Sequence, residues 1–223
     1  MKIFLDFDDF FLDTENGLVP ETFEHYASLT GATLEEVYET YRQFSRAKAE
    51  GGKCYAIGAH LEYLQKYAHF DFDFDEVLRK MKLFLADTRR YLYTGVEDFL
   101  RTLKKADSFL LTYGDDEFQM MKVRGAGIEG FFQGIFVTQG SKIEEIAKLR
   151  NELGISSDEM IVFCDNRCEY FTGAKEAGLI TIHLKRPEDK ASNNPCGECQ
   201  YRVSNFDELY EVLKKLEEKS PAR

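Results

Sequence analysis

Tryptophan is absent from this 223-residue chain, and 19 Phe and 12 Tyr carry its aromatic content. No run of about 18 apolar residues occurs, so nothing in the sequence reads as a membrane span. Positive charge is scarce: 29 Lys and Arg face 40 Asp and Glu, and the net charge of −11 repels phosphate backbones and anionic lipid. Neither nucleic acid nor a membrane surface is expected as a partner. The first residues are strand-like and then acidic, without the cationic flank and long apolar stretch of a signal peptide, which points to a cytosolic protein. Internal repeats and low-complexity tracts are missing as well. What remains, 43% apolar and 31% charged residues, is the composition of a globular chain able to bury a real core. The length fits one domain, or one domain with a sizeable insertion.

Five cysteines, Cys54, Cys164, Cys168, Cys196 and Cys199, make an odd set in a chain large enough to need no covalent staples. Free thiols in a reducing compartment are the expectation. Cys196-Gly-Glu-Cys199 has the spacing of a zinc knuckle or redox dithiol, but it is one pair without the strand-then-helix setting of a thioredoxin-type motif. A four-thiolate site adding Cys164 and Cys168 would need stoichiometric zinc to support it. The histidines His25, His60, His69 and His183 form no pair at metal-ligand spacing and read as packing or surface residues.

Gly and Pro divide the chain into alternating strand and helix signals. Lys2-Ile3-Phe4-Leu5 is an apolar run that stops at Asp6-Phe7-Asp8-Asp9, the pattern of a buried strand ending in carboxylates. From Pro20 to Arg90 the pattern is helical. Thr33 and Glu36 form a capping box, Leu61, Leu64 and Tyr67 share a helix face, and Asp75 reads as the cap of a helix carrying Val77, Leu78, Met81 and Leu85. After Gly95, helix and strand alternate. Helices are predicted over 96–105, 118–125, 141–153, 170–177 and 206–216, and strands over 108–111, 134–137, 160–163 and 180–183. Continuous apolar strands separated by helices predict an α/β fold, a Rossmann-like parallel sheet with helices on both faces. The helical stretch after the first strand is too long for a connection, since these usually run about 4–6 residues. It is read as an inserted all-helical domain over 15–93, with the α/β core formed by 1–14 and 94–223.

Ligands of open α/β sheets bind outside the carboxyl ends of the strands. Asp6 and Asp8 stand at one such end, Thr112 at a second and Asp165 at a third, and Lys142 opens the helix after the strand at 134–137. Each residue alone has a bland reading as a strand terminator, turn residue or solvated cation. Together they make a carboxylate pair, a hydroxyl, a cation and a further carboxylate at the ends of one sheet.

These residues carry a resemblance. Leu5-Asp6-Phe7-Asp8-Asp9-Phe10-Phe11-Leu12-Asp13-Thr14 is similar to the first motif of the haloacid dehalogenase (HAD) superfamily. Leu110-Leu111-Thr112-Tyr113-Gly114 resembles its second motif, Ser141-Lys142 its third, and Phe163-Cys164-Asp165-Asn166 with Glu169 its fourth. Tyr93-Thr94-Gly95-Val96 and Gly127-Ile128-Glu129-Gly130-Phe131-Phe132 are also family-like, so the likeness spans nearly the whole chain. It implies a helical cap after the first motif, whose residues set substrate choice, and a Mg²⁺-dependent phosphatase acting on a small phosphorylated metabolite. On the same footing, Asp6 is the nucleophile that forms an aspartyl-phosphate, and Asp8 is the general acid and then base, with a pKa raised by its acidic neighbours. Lys142 neutralises charge, Thr112 and the Tyr113 N–H bind a phosphoryl oxygen, and Asp6, the Asp8 carbonyl, Asp165 and, through water, Glu169 hold Mg²⁺.

Three positions depart from the family pattern: Phe10 for the usual Thr or Val, Asp9 for a common Gly, and Cys164 for the usual Gly. The Phe10 ring is expected beside the phosphoryl pocket. That motivates one alternative, a non-catalytic binding or regulatory member; phosphomutase activity is another. The acid two residues after Asp6 argues for phosphate over halide chemistry. Gly51-Gly52-Lys53 is a fragment of a phosphate loop without its preceding strand, and Lys53 is a possible substrate contact from the cap. Asp71-Phe72-Asp73-Phe74-Asp75 lacks the Gly and Glu of a calcium loop and reads as a loop, as does 186–200.

Overall fold

The computed structural model describes residues 1–49, 54–67, 69–187 and 196–219. Two compact units emerge, Met1–Leu12, Tyr93–Tyr113 and Ile128–Arg223 in one, Asp13–Leu92 and Gly114–Gly127 in the other. Lys53 lies outside the described residues, as does the 188–195 part of the expected loop.

The first unit is a six-stranded, all-parallel sheet in the order β3-β2-β1-β4-β5-β6. Its strands are β1 Lys2–Leu5, β2 Ser108–Tyr113, β3 Gly134–Thr138, β4 Ile161–Asp165, β5 Ile180–Leu184 and β6 Tyr201–Val203. Phe4, Phe109, Leu111, Ile161 and Phe163 bury one face of the sheet against Ile143, Ile146 and Leu149 of the helix Lys142–Glu152. Leu5, Leu110, Val162 and Cys164 alternate to the opposite face and are as fully buried, as strands covered on both sides must be. Phe99 from the helix Val96–Thr102 and Phe206 from the helix Phe206–Lys219 stack 5.2 Å apart, and Phe11 joins them. This is the expected Rossmann-like arrangement.

The second unit is helical. Its helices are α1 Val19–Thr30, α2 Leu34–Ala49, α3 Ile57–Tyr67, α4 Phe74–Leu85 and, later in the chain, α6 Asp116–Gly125; those of the first unit are α5 Val96–Thr102, α7 Lys142–Glu152 and α8 Phe206–Lys219. The capping box ahead of α2 forms: Thr33 N donates to Glu36 at 2.8 Å and Glu36 N to the Thr33 hydroxyl at 3.3 Å. Phe23, Tyr26, Leu61, Leu64, Val77, Met81 and Leu85 form its apolar interior.

Several expectations change. The cap of α4 is Asp73, whose carboxylate accepts from Glu76 N at 3.0 Å, two residues before Asp75. No α-helix covers 170–177; a 3-10 turn at Cys168–Phe171 gives way to turns, and inside the span Gly173 adopts a left-handed φ of 82° that an α-helix does not allow. No strand is predicted at β6, just after the 186–200 loop, since three residues give no legible alternation. The helix α6 groups with the helical unit and not with the α/β core. Its backbone is drawn onto the end of α4: Thr88 donates its hydroxyl to the Lys122 carbonyl at 2.7 Å, and a Cβ on Gly125 would lie 2.4 Å from the Leu85 carbonyl oxygen. Finally, Cys168 and Cys196 are paired as a disulfide, with Cα atoms 5.3 Å apart, where five free thiols were expected. The two come from segments 28 residues apart in sequence, a proximity that spacing does not reveal. Cys54, Cys164 and Cys199 are free thiols. No helix among the described residues is long and apolar enough to cross a membrane.

Candidate active site

The strand order places β1 between β2 and β4, with later strands added outward on both sides. That is the switch point at which neighbouring crossovers leave in opposite directions and a crevice opens at the carboxyl ends. Asp6 follows β1 there, its N–H continuing the ladder to the Cys164 carbonyl at 3.0 Å, and Asp165 ends β4 beside it. The Ser141 hydroxyl caps α7 by accepting from Glu144 N at 3.3 Å, so Lys142 is the first residue of that helix.

Lys142 Nζ donates to Asp6 Oδ1 at 2.5 Å and to Asp165 Oδ2 at 2.7 Å. All three side chains are buried, at 1%, 5% and 0% exposure. Charged groups so far from water persist only when paired. Here one ammonium serves two carboxylates. Burial pushes the Asp6 carboxyl up to about 7, the Asp165 charge adds to the rise, Lys142 opposes it, and Asp8 contributes a further increment. Burial raises Asp165 too, against the pull of Lys142. For Lys142, burial alone would favour the neutral amine, but Asp165 and Asp6 outweigh it and hold the ammonium above its ordinary range. The Tyr170 ring covers Lys142 Nζ at 4.3 Å, closing one side of the cluster.

Thr112, one residue before the end of β2, is fully buried, and its hydroxyl has no hydrogen-bond partner among the described residues. Asn166 Oδ1, beside Asp165, is in the same condition. Such groups cost about 1–3 kcal/mol when left unsatisfied and point to a polar guest. Tyr113 is half-buried, its ring 6.1 Å from that of Tyr170. Asp8 is half-buried and near enough for its charge to act on Asp6. Glu169 is not brought to the cluster. Its side chain is 63% exposed and pairs with Arg167 at 3.8 Å, because the residues after Asp165 turn instead of starting an α-helix.

The departures in the first motif resolve geometrically. Asp9 adopts φ 54°, a left-handed conformation open to Asp at modest cost and to Gly at none. The Phe10 ring points into the core and not beside a phosphoryl pocket: it is fully buried, 4.8 Å from Phe11 and 6.3 Å from Phe206. The turn that buries it begins with Phe10 N and Phe11 N donating to the Phe7 carbonyl at 3.3 and 2.9 Å. Sequence reading missed Arg186, which donates to the Asp9 and Phe10 carbonyls at 3.0 and 2.6 Å from beneath Tyr93 and Phe206. Its position just past β5 was the available signal.

The family model described as haloacid dehalogenase-like hydrolase matches residues 3–184. A search of curated protein sequences returns no significant match. Among solved structures, a haloacid dehalogenase-like hydrolase from Burkholderia xenovorans is 21% identical with TM-score 0.69, covering 96% of each chain. YfnB from Bacillus subtilis, described as a HAD-hydrolase and bound to magnesium, is 21% identical with TM-score 0.65, covering 95% of this chain and 97% of its own. L-2-haloacid dehalogenase from Xanthobacter autotrophicus, with chloropropionic acid covalently bound, is 13% identical with TM-score 0.65, covering 96% of this chain and 98% of its own.

Proposed function

The chain belongs to the haloacid dehalogenase-like hydrolase family, and from that premise we propose that it is a Mg²⁺-dependent phosphatase of a small phosphorylated metabolite, working through an aspartyl-phosphate on Asp6. The observation that carries the reading is Asp8, a second carboxylate close enough to raise the Asp6 pKa. A nucleophilic carboxylate alone serves halide or phosphate displacement. An acid beside it supplies what a phosphate ester needs, a proton for the leaving alcohol and later a base for the water that cleaves the acyl phosphate.

The donor set fits a hard divalent cation. Asp6 and Asp165 offer buried oxygen ligands, and two carboxylates to one ammonium leave the cluster short of positive charge. Mg²⁺ would be held by Asp6, the backbone carbonyl of Asp8 and Asp165; Glu169, exposed, is left out of this set. Bound there, the ion would neutralise charge between the nucleophile and the phosphoryl group. In the first step the other Asp6 oxygen attacks phosphorus as the P–O bond to the alcohol breaks, and Asp8 delivers a proton to the departing oxygen. Lys142 holds Asp6 in its attacking orientation and offsets the phosphoryl charge, and the Thr112 hydroxyl donates to a phosphoryl oxygen. In the second step Asp8, now a carboxylate, takes a proton from water as the water attacks phosphorus and Asp6 is released. The net charge of −11, which repels polyanions, supports a small soluble ester as substrate, and the reading includes a cytosolic setting.

Purified protein with Mg²⁺ is expected to release phosphate from p-nitrophenyl phosphate or from members of a metabolite panel. Asp6→Asn should lower turnover at least about a thousandfold, as loss of a covalent nucleophile does. Comparable turnover in the variant, or halide release from 2-haloacids without phosphate release from any ester, sinks the assignment.

A further inference from the structure

Just after Asp6 the chain closes into a tight turn from Phe7 to Leu12. The Phe7 carbonyl accepts from Phe10 N, Phe11 N and Leu12 N at 3.3, 2.9 and 3.1 Å, Asp9 N donates to the Leu12 carbonyl at 2.8 Å, and Asp8 and Leu12 form a single bridge. These bonds use the carbonyls of Phe7 and Leu12. The carbonyls of Asp9 and Phe10 accept instead from Arg186, at 3.0 Å from Nη1 and 2.6 Å from Nη2. We infer that Arg186 is the positioning residue for Asp8, holding the turn so that the Asp8 carboxyl meets the oxygen of the leaving group. This rests on the phosphatase reading, in which Asp8 is the general acid and then base.

Asp8 needs such a hold. Asp6 is fixed by the sheet, through its N–H on the Cys164 carbonyl at 3.0 Å, but β1 ends at Leu5 and the direction of Asp8 is set by the turn. In that turn Asp9 takes a left-handed φ of 54°, a conformation that a residue with a Cβ keeps only where its surroundings impose it. Arg186 imposes it from outside. A planar guanidinium that donates to two successive carbonyls fixes both peptide planes, whereas the point charge of a lysine reaches one. The guanidinium is itself held: Cζ lies 3.9 Å from the Tyr93 ring centroid and 5.0 Å from that of Phe206. Tyr93 N donates to the Phe11 carbonyl at 2.9 Å, so the ring against the guanidinium is tied to the same turn. At the other end the backbone leads out of β5, where Lys185 N donates to the Val203 carbonyl at 2.9 Å. All of these groups belong to the α/β unit. A general acid acts only within hydrogen-bond reach of the atom it protonates, and a misplacement of about 1 Å costs about a hundredfold.

The full chain with Mg²⁺ is assayed on two kinds of ester. One has a leaving group that needs a proton, phenyl phosphate or an alkyl phosphate of the metabolite panel; the other departs unaided, 2,4-dinitrophenyl phosphate or an acyl phosphate. The quantity compared is kcat/KM, which ends at release of the leaving group and excludes the second step common to both. In Arg186→Met it is expected to fall about a hundredfold for the first kind and less than about threefold for the second, as loss of a placed general acid does. Arg186→Lys should recover part of the loss, and Arg186→Met added to Asp8→Asn should cost little more than Asp8→Asn alone. Should Arg186→Met fail to fold, Arg186→Lys carries the same comparison. No loss, equal losses on both kinds of ester, or a full further loss in the Asp8→Asn background overturns the assignment and leaves the phosphatase reading standing. A parent chain that hydrolyses neither kind overturns that reading and the role of Arg186 with it.

Discussion

Lys142 occupies the first position of α7, where the helix dipole favours an acid and disfavours a cation by about 0.3–1 kcal/mol. It is also buried. Both penalties are opposed by Asp6 and Asp165, so the residue makes sense only as one corner of a charged triad. Thr112 is a second local contradiction, a buried hydroxyl without a partner among the described residues. If its role is to meet a phosphoryl oxygen, Thr112→Val should leave stability within about 1 kcal/mol of the parent, or above it, because no hydrogen bond is lost. Activity in the phosphate-release assay should drop about a hundredfold, the usual effect of removing one preorganised donor. A variant less stable but equally active would remove Thr112 from the site. Asp6, Thr112, Lys142 and Asp165 were legible in the sequence because each terminates an apolar run or opens a helix. The directions of Phe10 and Glu169 were not, because each is set by turn geometry, in one case a turn closing on the Phe7 carbonyl and in the other a 3-10 turn in place of a helix.

Among the elements, α6 shows how a correct helix assignment can still be given to the wrong unit. Its capping by Asp115, which accepts from Phe118 N at 3.0 Å, is local and marks where the helix starts. Its placement depends on Gly125, which lets the backbone approach Leu85 and Thr88. Gly125→Ala would gain about 1 kcal/mol of helix propensity. Against this, a Cβ 2.4 Å from a backbone oxygen cannot be relieved by a rotamer change, and overpacking of this kind costs about 1–3 kcal/mol. The expected result is net destabilisation, read as a lower thermal midpoint; an unchanged or higher midpoint would mean that α4 and α6 do not approach so closely. The turn after β4 gives the complementary lesson. Apolar residues at 171, 174 and 177 imitate a helical face, yet the left-handed Gly173 interrupts it.

At the scale of the whole molecule, a buried polar network makes stability depend on pH. In the helical unit, His60 Nε2 lies 3.0 Å from the Thr40 hydroxyl and Nδ1 lies 3.1 Å from the Tyr55 hydroxyl. Thr40 donates to the Val37 carbonyl, so it accepts from Nε2–H. Burial holds the His60 pKa down at about 4, against 6.5 for an ordinary imidazole. Above pH 6.5 the ring is neutral in folded and unfolded chains alike and contributes no pH dependence. As pH falls from 6.5 to 4 the unfolded chain gains a proton that the folded one refuses, and about 3 kcal/mol of stability is lost. Denaturant titrations across that window should show the loss, and it should shrink in His60→Gln; an equal loss in the variant would assign it to other groups. The order of apolar runs was enough to establish a parallel sheet, because continuous apolar strands separated by helices follow from local periodicity and chain order. Only the tertiary structure decided which carboxylates share the Lys142 ammonium, which way Phe10 and Glu169 point, and that Cys168, His183 and Cys196 meet. Contacts between residues far apart in sequence depend on strand register and on turns, and neither is encoded in spacing alone.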